Sequence, residues 1–137
     1  MGQVKLDVVD EAAIKAVGLF GGGIARSGNT CGALLGAIAA LSCLYSRGTL
    51  DEKENPVMWE LGDRLVKRFE ELTEQEGGIR CMDIARVDWR DPLAAKEFRT
   101  NPDSRRKVCV QLVGDVAQAL GELIEQETSG RRGHDVK

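Results

Sequence analysis

Four cysteines carry the chemistry available to this chain of 137 residues: Cys31, Cys43, Cys81 and Cys109, beside a single histidine, His134. Thiolates bind soft metals and exchange electrons, so the question is which of the four are placed to do either. Cys31 is the most distinctive. It ends the stretch Phe20-Gly21-Gly22-Gly23-Ile24-Ala25-Arg26-Ser27-Gly28-Asn29-Thr30-Cys31 and opens Gly32-Ala33-Leu34-Leu35-Gly36-Ala37, a glycine-rich loop running into a helix of small apolar residues. Asn29 or Thr30 reads as the N-cap, which places Cys31 in the first helical turn. Free amides and the helix dipole there are expected to lower its pKa from about 8.5 toward neutrality. Gly32 and Gly36 share a helix face, where another backbone can approach closely. As a phosphate cradle the triple glycine is deficient: no strand precedes it, and the lysine and Ser/Thr of a P-loop are missing.

Cys81 follows the break Gly77-Gly78, and Cys109 lies near the start of the last helical pattern. Separations of 50 and 28 residues between Cys31, Cys81 and Cys109 exclude a zinc knuckle or a CxxC redox motif. A joint site must therefore come from tertiary packing, with three helix starts meeting around three thiols. Cys43 lies on the helix of Cys31, about 18 Å further along and about 120° around it, and reads as a packing residue.

The elements that would position these cysteines are helical. Only 4% of residues are aromatic, and Ala, Leu, Glu, Arg and Lys predominate. Asp10 caps a first short helix over residues 10–20, and the Ala/Gly-rich second helix spans residues 30–45, apolar on most sides and so central. Asn55-Pro56 opens a third helix ending near Glu76, with Val57, Leu61, Leu65, Phe69 and Leu72 toward the core. Residues 86–102 read as irregular, with Trp89, Pro92 and Pro102 in loops and one helical turn over residues 94–98. Asp103 or Ser104 caps a last helix to about Glu127, striped by Val108, Leu112, Val116, Leu120 and Leu123. The expectation is an all-α fold, a compact bundle of about four to five helices around the central Ala/Gly-rich helix. Residues 1–127 form one helical domain in this reading, and residues 128–137, His134 among them, form a disordered tail without ligands.

Charge and sequence pattern exclude several classes of function. A net charge of −3 gives no general attraction to nucleic acid or anionic membrane, although residues 86–102 carry a mild local excess of positive charge. The longest apolar run, residues 33–41, is short of the roughly 20 needed to span a bilayer. The opening residues lack a basic segment followed by an apolar run, and four cysteines in such a chain suit a reducing, cytoplasmic setting. Scattered surface carboxylates and a single histidine give no acid–base or Ser-His-Asp arrangement, so no catalytic residue is assigned.

The glycine loop and the motif Cys31-Gly32-Ala33-Leu34-Leu35-Gly36 resemble the signature of the C-GCAxxG-C-C family of redox-active proteins, of similar length. Two later family cysteines match Cys81, in Gly78-Ile79-Arg80-Cys81, and Cys109, in Cys109-Val110-Gln111-Leu112-Val113. The resemblance covers residues from about 10 to about 125. Family members carry four characteristic cysteines, the first upstream of the glycine loop, whereas this sequence has none before Cys31. A related domain occurs in split-Soret cytochromes, which implies cysteine-bound iron–sulfur chemistry; the haem-attaching CxxCH sequence is absent.

These readings together lead to a thiolate metal-binding protein, with Cys31, Cys81 and Cys109 as ligands of an iron–sulfur centre used in electron transfer or redox support. Structural zinc, or no metal at all, is the alternative for the cofactor. Thiol–disulfide exchange through Cys31, and a non-catalytic helical interaction module, are the alternatives for function. The expected partners are a second copy of the chain and a redox protein of unspecified identity, with no nucleic acid and no membrane.

Overall fold

The computed structural model describes residues 10–134. Six α-helices make up the fold among the described residues: α1 (Glu11–Ala16), α2 (Gly32–Tyr45), α3 (Val57–Thr73), α4 (Cys81–Ala85), α5 (Pro92–Thr100) and α6 (Arg106–His134), and no strand is present among them. The fold is all-α, as the sequence predicts, with one or two more helices than expected because α4 and α5 are complete short helices.

The core is the packing of α2, α3 and α6. Leu34, Ala37 and Leu41 of α2 meet Leu61, Leu65 and Phe69 of α3 and Leu112, Val116, Leu120 and Leu123 of α6. These positions recur at three or four residues, so each helix turns one stripe inward. Thr73 is fully buried in α3, and its hydroxyl donates to the Phe69 carbonyl at 2.8 Å. The opposite face of α2 is uncovered: Cys43 is exposed, against the reading of it as packing, and a Cβ on Gly36 would meet nothing within 4 Å. Of the two glycines expected to admit another backbone, Gly32 does so, where a Cβ would lie 2.7 Å from the Phe20 carbonyl oxygen, and Gly36 does not.

Caps fix the element ends. Asp10 accepts from the amides of Ala12 and Ala13 at the start of α1, Asn55 accepts from Val57 at the start of α3, and Asp91 accepts from Leu93 at the start of α5. Two of these ends differ from the sequence reading. The first helix stops at Ala16 and resumes as a 3₁₀ turn over Gly18–Phe20, and α3 gives way at Thr73 to a 3₁₀ turn over Glu74–Glu76. Helix α6 continues through His134, so residues 128–134 are helical and the expected disordered tail is corrected over that span. Residues 1–9 and 135–137 lie outside the described residues, as does the side chain of His134.

Candidate thiol site

The site begins with the backbone of the glycine loop. Gly22, Gly23, Ile24, Ala25 and Arg26 follow one another with φ between 51° and 70°, and Gly28 has φ 73°. Five consecutive left-handed residues form a short turn of the hand that L-residues avoid. For the three that carry side chains the cost is about 1–2 kcal/mol each. Backbone hydrogen bonds hold the turn closed: Ala25 to Leu19 at 2.7 Å, Gly28 to Gly22 at 2.9 Å and Asn29 to Gly23 at 3.0 Å. The Ser27 hydroxyl donates to the Gly23 carbonyl at 2.6 Å and accepts from the Asn29 side chain at 2.9 Å. Gly23 lies at the tightest point, since a Cβ there would stand 2.5 Å from the Asn29 oxygen and 2.6 Å from the Cys81 Cβ.

The loop delivers the chain to a single rung of antiparallel pairing, Thr30 with Arg80. The Cys31 amide donates to the Ile79 carbonyl at 2.9 Å, and the Cys81 amide donates to the Asn29 carbonyl at 2.6 Å. Cys31 and Cys81 are thereby diagonal neighbours, each flanking the rung and each leading into a helix. Cys31 is the N-cap of α2 rather than a first-turn residue, and Thr30 pairs with Arg80 instead of capping. Cys81 is the first residue of α4.

Cys109, in the first turn of α6, completes the group. Its side chain packs against the main core and also against the smaller cluster of Cys81, Ala85 and Phe98. Cys31 borders the same main core and Cys81 is part of the smaller cluster, so Cys109 packs where the surroundings of the other two cysteines meet. Three dispersed cysteines are therefore brought together, while Cys43 stands apart on the exposed face of α2.

The electrostatics reverse one sequence expectation. Burial raises the Cys31 pKa above its ordinary value; the amides of Ala33 and Leu34 oppose the rise, although neither makes a complete capping hydrogen bond. Burial also raises Cys81, with the Trp89 indole N–H opposing it and the charge of Cys31 adding to it. Cys109 is pushed up to about 11, first by burial and then by the charges of Cys31 and Cys81, with Arg105 pulling down and Glu76 pushing up. Desolvation outweighs the helix ends, and the resting pocket holds protonated thiols.

Three neighbours of the thiols were not legible as site residues. Trp89 donates from Nε1 to the Cys81 Sγ at 3.2 Å. Arg105, one turn before Cys109, donates from Nε to the Ile84 carbonyl at 2.8 Å and forms an ion pair with Glu76, with both side chains mostly buried. The only signals in the sequence were an indole eight residues after Cys81 and an arginine four before Cys109, and neither spacing is diagnostic.

By donor type the pocket suits a soft centre: three sulfurs, with the nearby Glu76 carboxylate already engaged by Arg105. By closure it does not form a single-ion site, since no three His, Cys, Asp or Glu side chains among the described residues are set around one metal ion.

The family model described as "Putative redox-active protein (C_GCAxxG_C_C)" matches residues 1–123. The chain belongs to this family. That description names redox activity for the C_GCAxxG_C_C family, and the matched span includes Cys31, Cys81, Cys109 and all of α2. The chain matches no curated protein and no solved structure. No helix among the described residues is long and apolar enough to cross a membrane.

Proposed function

We propose that this C_GCAxxG_C_C member is a small electron-transfer or redox accessory protein in which Cys31, Cys81 and Cys109 together hold an iron–sulfur centre. The observation that supports this reading is the position of Cys109, which packs both on the core that Cys31 borders and on the cluster that contains Cys81. Burial keeps the three thiols protonated in the resting site, and a bound cation would displace those protons and balance the charge of the thiolates that result. When bound, an iron–sulfur centre supplies one-electron chemistry at a potential set by charge, hydrogen bonds and solvent exposure. The chain's own residues do the rest. The Thr30–Arg80 rung orients Cys31 and Cys81, the packing of α4 and α5 excludes water from Cys81, and Arg105 places a positive charge beside Cys109.

The test is anaerobic purification followed by an absorption spectrum and by iron and sulfide analysis per chain. Sulfur-to-iron charge-transfer bands with stoichiometric iron are expected for the parent protein and for Cys43→Ser, and their loss for Cys31→Ser, Cys81→Ser and Cys109→Ser. Equal iron in Cys31→Ser and Cys43→Ser overturns the assignment. Homodimerisation belongs to the same reading, with the uncovered face of α2 packed on a second copy; light scattering at a monomer mass removes it. A reducing, cytoplasmic setting suits the free thiols.

A second reading is favoured by the lack of closure around one metal ion and by the pairing of the segments that carry Cys31 and Cys81. In it the two thiols reduce a disulfide of a partner protein. Two protons and two electrons pass to the partner, one sulfur–sulfur bond forms here and one breaks there. Diagonal neighbours of this kind typically have Cα atoms about 7–8 Å apart, slightly beyond the about 4.4–6.8 Å of a disulfide, so the rung would have to shift. Mass spectrometry after mild oxidation decides: absence of any intramolecular pair involving Cys31 eliminates this reading.

A further inference from the structure

We infer that Trp89 is a positioning residue for Cys81, and that its indole N–H raises the reduction potential of the centre in which the Cys81 sulfur takes part. The inference rests on the reading of Cys81 as a working thiol. Its geometry stands independently of any bound group. Trp89 leaves the turn between α4 and α5 and donates from Nε1 to Cys81 Sγ at 3.2 Å. Its ring is held edge-on to Phe98, with centroids 4.9 Å apart and planes at 76°. On the other side Cys81 is fixed by the close approach of Gly23 and by the hydrogen bond its backbone N–H donates to the Asn29 carbonyl. At 8% exposure the cysteine leaves little room for water to replace the indole as donor.

The sign of the effect follows from the chemistry of the donor. An indole N–H can only donate, so it offers nothing to a thiol proton and bonds only to the sulfur lone pairs. Its bond strengthens as negative charge gathers on the sulfur. Adding an electron to a thiolate-held centre increases that charge, as does reducing a disulfide at a pH high enough for the product sulfur to be a thiolate. In either case the reduced state gains more than the oxidised state, and the potential rises. Phe98 holds the ring in place and has no share in this effect beyond packing.

The experiment compares the parent protein, Trp89→Phe and Phe98→Leu. Trp89→Phe keeps an aromatic ring against Phe98 and removes the N–H; Phe98→Leu loosens the ring packing and leaves the N–H. Each protein is loaded anaerobically with ferrous iron and sulfide, and its midpoint potential is measured. Trp89→Phe is expected to make reduction about tenfold less favourable with unchanged iron content, which is about 59 mV for one electron. Phe98→Leu is expected to stay near the parent value. Equal potentials in the parent and Trp89→Phe overturn the inference, as does an equal fall in Phe98→Leu. Should the parent bind no iron, the iron reading fails on its own, and potentials taken in glutathione buffers test Trp89 by the same comparison, with about 30 mV expected for two electrons. A readout free of any loaded centre comes from Trp59→Phe, which leaves Trp89 as the sole indole. In that background Cys81→Ala must raise Trp89 emission by removing the adjacent sulfur, and unchanged emission refutes the contact.

Discussion

The three-helix core and the glycine loop hold their shape by opposite means. In α2, α3 and α6 the backbone is regular and specificity lies in the side chains, with Leu34, Leu65, Phe69 and Leu112 filling one interior. In residues 21–29 the backbone itself is bent through five successive left-handed residues, closed by main-chain hydrogen bonds and by the side chains of Ser27 and Asn29. For Ile24, Ala25 and Arg26 that conformation costs about 3–6 kcal/mol together, comparable with the net stability of a whole domain. The core must hold the loop in place, and what the loop does in return is set Gly23 against Cys81 and lead Cys31 onto its rung. Stability is concentrated in one region and the candidate chemistry in the other.

The largest effect that tests this division is expected for Phe69→Ala, which empties a fully buried site and should cost about 3–5 kcal/mol in urea unfolding. In a Trp59→Phe background, helical circular dichroism and Trp89 fluorescence are expected to be lost together; separate transitions would show that loop and core are independent units. Gly23→Ala comes next. A Cβ at φ 70°, placed 2.5 Å from the Asn29 oxygen, combines strain with overlap and should cost about 3 kcal/mol. Unlike Phe69→Ala, it is expected to change the alkylation rates of Cys31 and Cys81 even below the unfolding midpoint.

Smaller effects sharpen the contrast. Cys109 has a folded pKa of about 11, above the ordinary thiol value of 9.0. The folded state therefore holds the proton more tightly, its advantage is complete below about pH 9, and it is lost as pH rises toward 11. Thermal stability should fall across that window in the parent and fall less in Cys109→Ala; identical pH profiles would remove Cys109 from the buried pocket. The smallest effect comes from a mirrored pair of substitutions. Gly36→Ala, in open space within a helix, should stabilise by up to about 1 kcal/mol. Ala25→Gly, at φ 51°, should be neutral or stabilising by a similar amount as strain is relieved. A destabilising Gly36→Ala would mean that a second backbone occupies the uncovered face of α2.

The core was legible because helical spacing encodes it. Leu61, Leu65 and Phe69, and Leu112, Val116, Leu120 and Leu123, are buried where the pattern placed them. The convergence of three cysteines could be anticipated only as a possibility of packing, since nothing in separations of 50 and 28 residues encodes a meeting. The left-handed run was half visible: three glycines mark permissive backbone, but Ile24, Ala25 and Arg26 are not residues that announce a positive φ. Cys31 was misplaced by one turn position because Thr30, a good capping residue by type, is taken up by Arg80 from a distant segment. The direction of the thiol shifts was missed for a related reason. Helix ends are local and readable, whereas desolvation depends on what packs above them. Trp89 was read as a loop residue, which it is; its donor role exists only because α4 brings Cys81 beneath it.

The Thr30–Arg80 rung also has a consequence in time. Closing it joins segments 50 residues apart, with all of α2 and α3 between them, at an entropic cost that grows with the logarithm of that span. One rung cannot meet that cost alone, so it forms only after the α2–α3 pairing has shortened the effective loop. In a stopped-flow refolding trace of Trp59→Phe the Trp89 signal should then follow the helical signal and never precede it. Until that closure Cys31 and Cys81 belong to different parts of an unfinished chain, and the assembled pocket is a product of the final folding step, not a platform on which folding begins.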